Sequence, residues 1–182
     1  MDCLACKGKN CKLQGKDCPG TRAEILGEYE DPETRRLYRN ADGLVAGGLA
    51  GSLSRVEELV RFSRSQNYRS IGIAYCFSME KEAGILQDLL KKEGLKVRSY
   101  RCTVNGLTEG EMCPGLPGGV NCNPIGQAEQ INAEAPDLVV EMGLCLGHDI
   151  LFHQYLKRPF TVLAVKDRVH GHNPLKALKS AG

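Results

Sequence analysis

The apolar positions of this chain change period near residue 70. Beyond it, short apolar runs alternate with stretches of helical spacing. Ser70–Tyr75, Lys96–Arg101, Asp137–Met142 and Phe160–Val165 read as strands. Between them, Glu80–Glu93 reads as a helix closed by Gly94. Asn123 caps and Pro124 opens a second helix that runs to Glu134. Ile150–Lys157 reads as a third, and Asn173 and Pro174 begin a short terminal one. Thr103–Asn121, with five glycines and two prolines, reads as irregular. Strand and helix in alternation predict an α/β fold: a small, mainly parallel sheet of about four strands, with right-handed crossovers and helices on both faces.

Before residue 70 the pattern is helical. Asp31 caps and Pro32 suits a first helical position, with Leu37, Ala41, Leu44 and Val45 at helical spacing. After the glycine interruption at Gly47, Gly48 and Gly51, Ser54 and Glu57 have the spacing of a capping box. Val56, Leu59, Val60 and Phe62 follow as an apolar side. A helical hairpin covering the sheet is expected, its glycines allowing close packing. The first twenty residues hold little apolar material to bury. Three segments are therefore expected: 1–20 cysteine-rich, 21–69 connector and hairpin, and 70–182 the α/β domain.

Charge and composition exclude more than they assign. Lys plus Arg total 24 against 22 Asp plus Glu, a net +2, and there is no Trp. Nucleic-acid binding, which draws on a basic excess or on stacking aromatics, is not expected. The start, Met1-Asp2-Cys3, lacks an apolar signal region, and no apolar run approaches a membrane span. The expected location is the cytoplasm, which keeps thiols reduced. Nine cysteines, an odd number, then point to thiolate ligands or redox chemistry rather than a disulfide scaffold.

The cysteines fall into two sets. Cys3, Cys6, Cys11 and Cys18 lie within the first eighteen residues, beside Lys7, Lys9, Lys12 and Lys16. A segment with so little core needs a metal to hold a shape. Its spacing, ending in Cys18-Pro19, is closer in style to iron–sulfur runs than to the paired Cys-x2-Cys of zinc sites. In the second set, Cys76 and Cys102 come directly after predicted strands. Cys145 follows another in Gly143-Leu144-Cys145-Leu146-Gly147-His148-Asp149, and Cys122 precedes a helix. Parallel strands bring all four to the carboxyl edge of the sheet, where open α/β folds bind ligands. If the first and third strands are neighbours, Cys76 and Cys145 flank the switch point. A lone buried cysteine is ordinarily a small hydrophobe; four at one edge call for another reading. Cys113 is read as a spare.

His148, at a helix start on the same edge, is a candidate ligand, proton donor or cap, and His153 reads as surface or core. Lys166, Asp167, Arg168, His170 and His172 follow the last strand. Lys166 and Arg168 are candidates for an anionic substrate or for offsetting thiolate charge; the other reading is a solvated loop.

Several motifs together resemble a known family. They are the Cys-x2-Cys-x4-Cys start, Ile71-Gly72-Ile73-Ala74-Tyr75-Cys76, Cys122-Asn123-Pro124-Ile125, Gly143 through Asp149, and Val165-Lys166-Asp167-Arg168 with Gly171-His172-Asn173-Pro174. The chain is similar almost end to end to uncharacterised proteins of bacteria and archaea, often anaerobes, labelled predicted metal-binding proteins. The resemblance implies metal binding through Cys3, Cys6, Cys11, Cys18, Cys76, Cys102, Cys122 and Cys145, and no established reaction. Cys113 and His170 depart from its pattern.

These readings converge on a cytosolic iron–sulfur protein with one or two 4Fe-4S clusters. Redox or sulfur chemistry on a small molecule is the candidate activity, with His148, Lys166 and Arg168 as candidate catalytic groups and a small anionic substrate or an electron donor as partner. The alternatives are a zinc protein with structural and metal-carrying roles, and a metal-free thiol redox protein.

Overall fold

The computed structural model describes residues 2–180; Met1, Ala181 and Gly182, at the ends of the expected outer segments, lie outside the described residues. In chain order the elements are α1 (Asn10–Gln14), α2 (Arg22–Glu28), α3 (Pro32–Asp42), α4 (Arg55–Ser65), β1 (Ser70–Tyr75), α5 (Glu80–Lys92), β2 (Lys96–Arg101), α6 (Glu109–Met112), α7 (Pro124–Glu134), β3 (Leu138–Met142), α8 (His148–Tyr155), β4 (Phe160–Ala164) and α9 (Leu175–Ser180). The chain divides into two compact units, Met1–Ala50 and Gly51–Gly182.

The second unit is an α/β fold. Its sheet has the order β2-β1-β3-β4, and all three pairings are parallel. Successive side chains of a strand point to opposite faces, so β1 feeds two cores. Ile71, Ile73 and Tyr75 pack with Leu59 of α4 and Ala83, Leu86 and Leu90 of α5. Ala74 and, beyond the strand end, Cys76 pack with Ala128 and Ile131 of α7 and Phe152 of α8. Helices thus cover both faces. β1 and β3 are neighbours, so the switch point lies between them.

Local signals at the helix starts hold. The Asp31 carboxylate accepts from the Thr34 amide at 2.7 Å, and Ser54 and Glu57 form a full capping box. Asn123 Oδ1 accepts from the Gly126 amide at 2.9 Å ahead of α7. One unit boundary is added and two expectations change. α3 belongs to the first unit and α4 to the second, so the division falls inside the 21–69 span. Gly47, Gly48 and Gly51 take left-handed φ of 64°, 84° and 78° with open space around them; they turn the chain instead of admitting a packed helix. The 103–121 stretch is ordered: Thr108 caps α6 in a capping box with Glu111, and Thr108 bridges Val120 across its base.

The first unit is α1 to α3 with their connections. None of residues 2–50 is buried. It lacks the apolar interior that would hold three short helices by packing alone.

Candidate functional site: the thiol edge of the sheet

The site begins where β1, β2 and β3 end. The Cys76 amide donates to Met142 O at 3.1 Å and the Cys102 amide to Tyr75 O at 3.0 Å. Sheet hydrogen bonding therefore continues one residue past each strand and delivers both thiols to the same edge. The Asn123 amide donates to Cys102 O at 2.7 Å, which sets Cys122 beside Cys102. The Cys122 thiol donates to the Cys102 sulfur at 3.3 Å. Cys76, Cys102 and Cys122 are all buried in one apolar cluster with Leu144 and Phe152.

Cys145 arrives on a turn. Gly143 has φ +63°, and a Cβ there would lie 2.3 Å from Met79 Sδ, so only glycine fits. Cys145 O accepts from the His148 amide at 2.9 Å and the Asp149 amide at 3.0 Å. These bonds start α8 at His148, two residues earlier than the expected Ile150, and α8 ends at Tyr155. Cys145 is half-buried. Asp149 closes the turn, its Oδ1 accepting from the Gly147 amide at 2.9 Å. His148 Nδ1 is buried and has no hydrogen-bond partner among the described residues.

Two cations reach the thiols from the segment after β4. Lys166 Nζ donates to Ser78 Oγ at 2.5 Å, and Ser78 Oγ is 3.4 Å from Cys76 Sγ. Arg168 Nη2 donates to Cys145 Sγ at 3.4 Å. One short stretch past the end of β4 thus serves both sulfurs. Asp167 turns the other way and accepts from the Val169 and His170 amides at 3.0 and 2.9 Å. His170 Nδ1 lies 3.1 Å from its carboxylate, so this part of the charged loop is paired with itself.

The electrostatics separate the thiols. Burial pushes Cys76 up, but the Ser78 hydrogen bonds and the Lys166 charge outweigh it and hold the thiol below its ordinary range. Burial pushes Cys102 up to about 12, helped by the neighbouring Cys122 and Cys76 and opposed by the Phe77 amide that donates to its sulfur at 3.4 Å. Cys122 is also raised, first by burial, then by the nearby Cys76 and Cys145. The four sulfurs therefore act on one another, and burial holds Cys102 and Cys122 above the ordinary thiol range.

Other predicted residues are not brought together. Cys3, Cys6, Cys11, Cys18 and Cys113 are exposed, with Cys11 inside α1 and Cys113 at the end of α6. Among the described residues, no group of three or more His, Cys, Asp or Glu side chains is gathered closely enough to hold a metal ion. Cys102 and Cys122 are two thiols already in contact. Two thiolates on one tetrahedral zinc stand about 3.8 Å apart, given Zn–S bonds of about 2.3 Å. The pair is thus near the spacing a single ion uses, and thiols suit a soft metal. Metal binding there would displace thiol protons.

Two polar contacts escaped the sequence reading. Ser78 links Lys166 to Cys76, and nothing but its place two residues past a cysteine marks it. Glu141 is buried on β3 with Oε2 2.5 Å from His153 Nε2, and His153 stacks on Phe160 at 4.3 Å. A charged residue in the apolar run Leu138–Met142 was a legible sign of it.

A protein-family model described as "Protein of unknown function (DUF1847)" matches residues 13–163. The chain belongs to that family. It is also 37% identical over 184 residues to the uncharacterized protein MJ0455 of Methanocaldococcus jannaschii, covering 98% of this chain and 93% of the relative. No solved structure matches. The family match takes in Cys18 and the whole thiol edge from Cys76 to Cys145; Cys3, Cys6, Cys11, Lys166 and Arg168 fall outside it. The family description carries no activity. No helix among the described residues is long and apolar enough to cross a membrane.

Proposed function

We propose that this protein is a cytoplasmic metal protein with two thiolate centres, iron–sulfur in character. The observation that carries the reading is the delivery of four thiols to one sheet edge, three of them within one buried cluster. Cys76, Cys102, Cys122 and Cys145 would hold the edge centre. Cys3, Cys6, Cys11 and Cys18 would hold the other, in a unit without buried residues that gains its order from the metal. A 4Fe-4S cluster, one at each set, accepts and passes single electrons when bound.

The chain's own groups suit redox or sulfur chemistry on a small anion. Lys166, through Ser78, places positive charge beside Cys76, and Arg168 does the same at Cys145. Both cations stabilise thiolate and attract an anionic substrate. His148, with Nδ1 unpartnered, is the candidate proton donor at the start of α8. An electron donor is the expected partner. A zinc centre is the second reading, supported by the 3.3 Å Cys102–Cys122 contact, near the separation of two thiolates on one ion.

The test is iron, zinc and acid-labile sulfide per chain in anaerobically purified protein, with its visible spectrum. About eight iron and eight sulfide support two cubane clusters. Zinc alone, with no sulfide and no colour, replaces the first reading with the second. Absence of both metals leaves thiol chemistry without metal.

A further inference from the structure

We infer that Cys102 and Cys122 are a redox pair, which a small peroxide closes to a disulfide inside the folded chain and a dithiol reductant reopens. The two residues are twenty apart in the chain, and only the fold brings them together.

The geometry is prepared for closure. The two sulfurs are 3.3 Å apart and already joined by a thiol hydrogen bond. A disulfide requires about 2.05 Å, so small side-chain rotations suffice. The backbone on each side is fixed. Cys102 is tied to Tyr75 through its amide and to Asn123 through its carbonyl, and the Cys122 amide donates to Asn121 Oδ1 at 2.7 Å. The excursion between them closes on itself at its base, where the Asn121 amide donates to Leu107 O at 3.0 Å.

Burial selects the oxidant and the order of attack. Cys102 is 2% exposed and Cys122 9%, so Cys122 is met first and only a small molecule reaches it. The fraction of Cys122 that ionises is oxidised by hydrogen peroxide to a sulfenic acid, and the hydroxide released takes up the thiol proton as water. The Cys102 sulfur then attacks Cys122 Sγ, the S–S bond forms, and the hydroxyl leaves as water. Over both steps the two thiols give up two electrons and two protons, and one peroxide becomes two waters. Cys76 shares the cluster, but its sulfur is engaged by Ser78. The consequence follows whichever metal the edge takes: closure removes two of its four sulfurs at once. The pairing itself stands on the contact geometry and does not depend on the metal reading.

The experiment uses the full chain, as purified and in parallel after extraction with a chelator. Each sample receives hydrogen peroxide under native conditions, is alkylated in denaturant, digested and mapped by mass spectrometry. The expected result is a Cys102–Cys122 linked peptide in at least one sample, an unchanged circular dichroism spectrum, and recovery of both alkylated thiols after dithiothreitol. The inference is overturned if both cysteines appear as thiols or sulfinates in both samples. Linkage of either one to a different cysteine, or loss of the native spectrum with the link, overturns it as well.

Discussion

Glu141 Oε2 lies 2.5 Å from His153 Nε2, on the face of β3 turned toward α8. Burial pushes the Glu141 carboxyl above its usual range, the His153 contact opposes this, and the nearby Asp149 adds to it. A carboxyl whose folded pKa is raised holds its proton more tightly in the folded state. Its contribution to stability is complete below the unfolded value and is lost as pH rises through the folded one. The stability of the native chain relative to Glu141→Gln should therefore fall as pH is raised from the ordinary carboxylate range toward neutrality. Urea midpoints of both proteins across that range check this. A difference that is flat, or that grows with pH, would show that folding does not raise the Glu141 carboxyl.

Gly143→Ala should destabilise the second unit and disturb the thiol edge. The residue is at φ +63°, where a non-glycine residue costs roughly 1–3 kcal/mol. The added Cβ would also meet Met79 Sδ at 2.3 Å, and Met79 is a buried core side chain. Denaturant unfolding gives the loss. A faster alkylation of Cys145 in the variant would report the displaced turn.

Phe152→Ala should cost about 3–5 kcal/mol, as removal of a fully buried aromatic does. Phe152 is 0% exposed and packs in the cluster that contains Cys76, Cys102 and Cys122. The loss should be accompanied by greater access to Cys102 and Cys122, measured as their alkylation rate under native conditions. Slow, unchanged alkylation would mean that the strand-end hydrogen bonds alone hold the pair.

If the two cysteine sets carry separate centres, their variants should separate too. Cys6→Ser should lose about half of the bound metal, as expected when one of two cluster sites fails, and leave the unfolding of the 51–182 unit unchanged. Cys145→Ser should lose the other half and leave the amino-terminal centre in place. Metal analysis and denaturation of both variants check this. Unchanged metal content in Cys145→Ser would make the strand-end cysteines core residues only.

Peak positions of hydrophobicity and a few caps were enough to read the α/β unit from the chain. β1 and β2 have the predicted limits, and β3 and β4 are each shorter by one residue. Asp31, Ser54 and Asn123 start the helices they were expected to start, because capping is a contact between residues three apart and needs no tertiary partner. The arrival of Cys76, Cys102, Cys122 and Cys145 at one edge was legible for a related reason: parallel strands leave a single edge for every strand end.

Tertiary structure decided what depends on contacts between distant residues. The strand order, the 3.3 Å meeting of Cys102 with Cys122, the link from Lys166 through Ser78 to Cys76, and the Glu141–His153 pair all join residues from different elements. The division between Ala50 and Gly51 was decided the same way. Periodicity made α3 and α4 look like one hairpin, yet α4 contributes Leu59 to the sheet core while α3 buries nothing. A helical period states which side of a helix is apolar. Which surface that side meets is set by the packing of the whole chain.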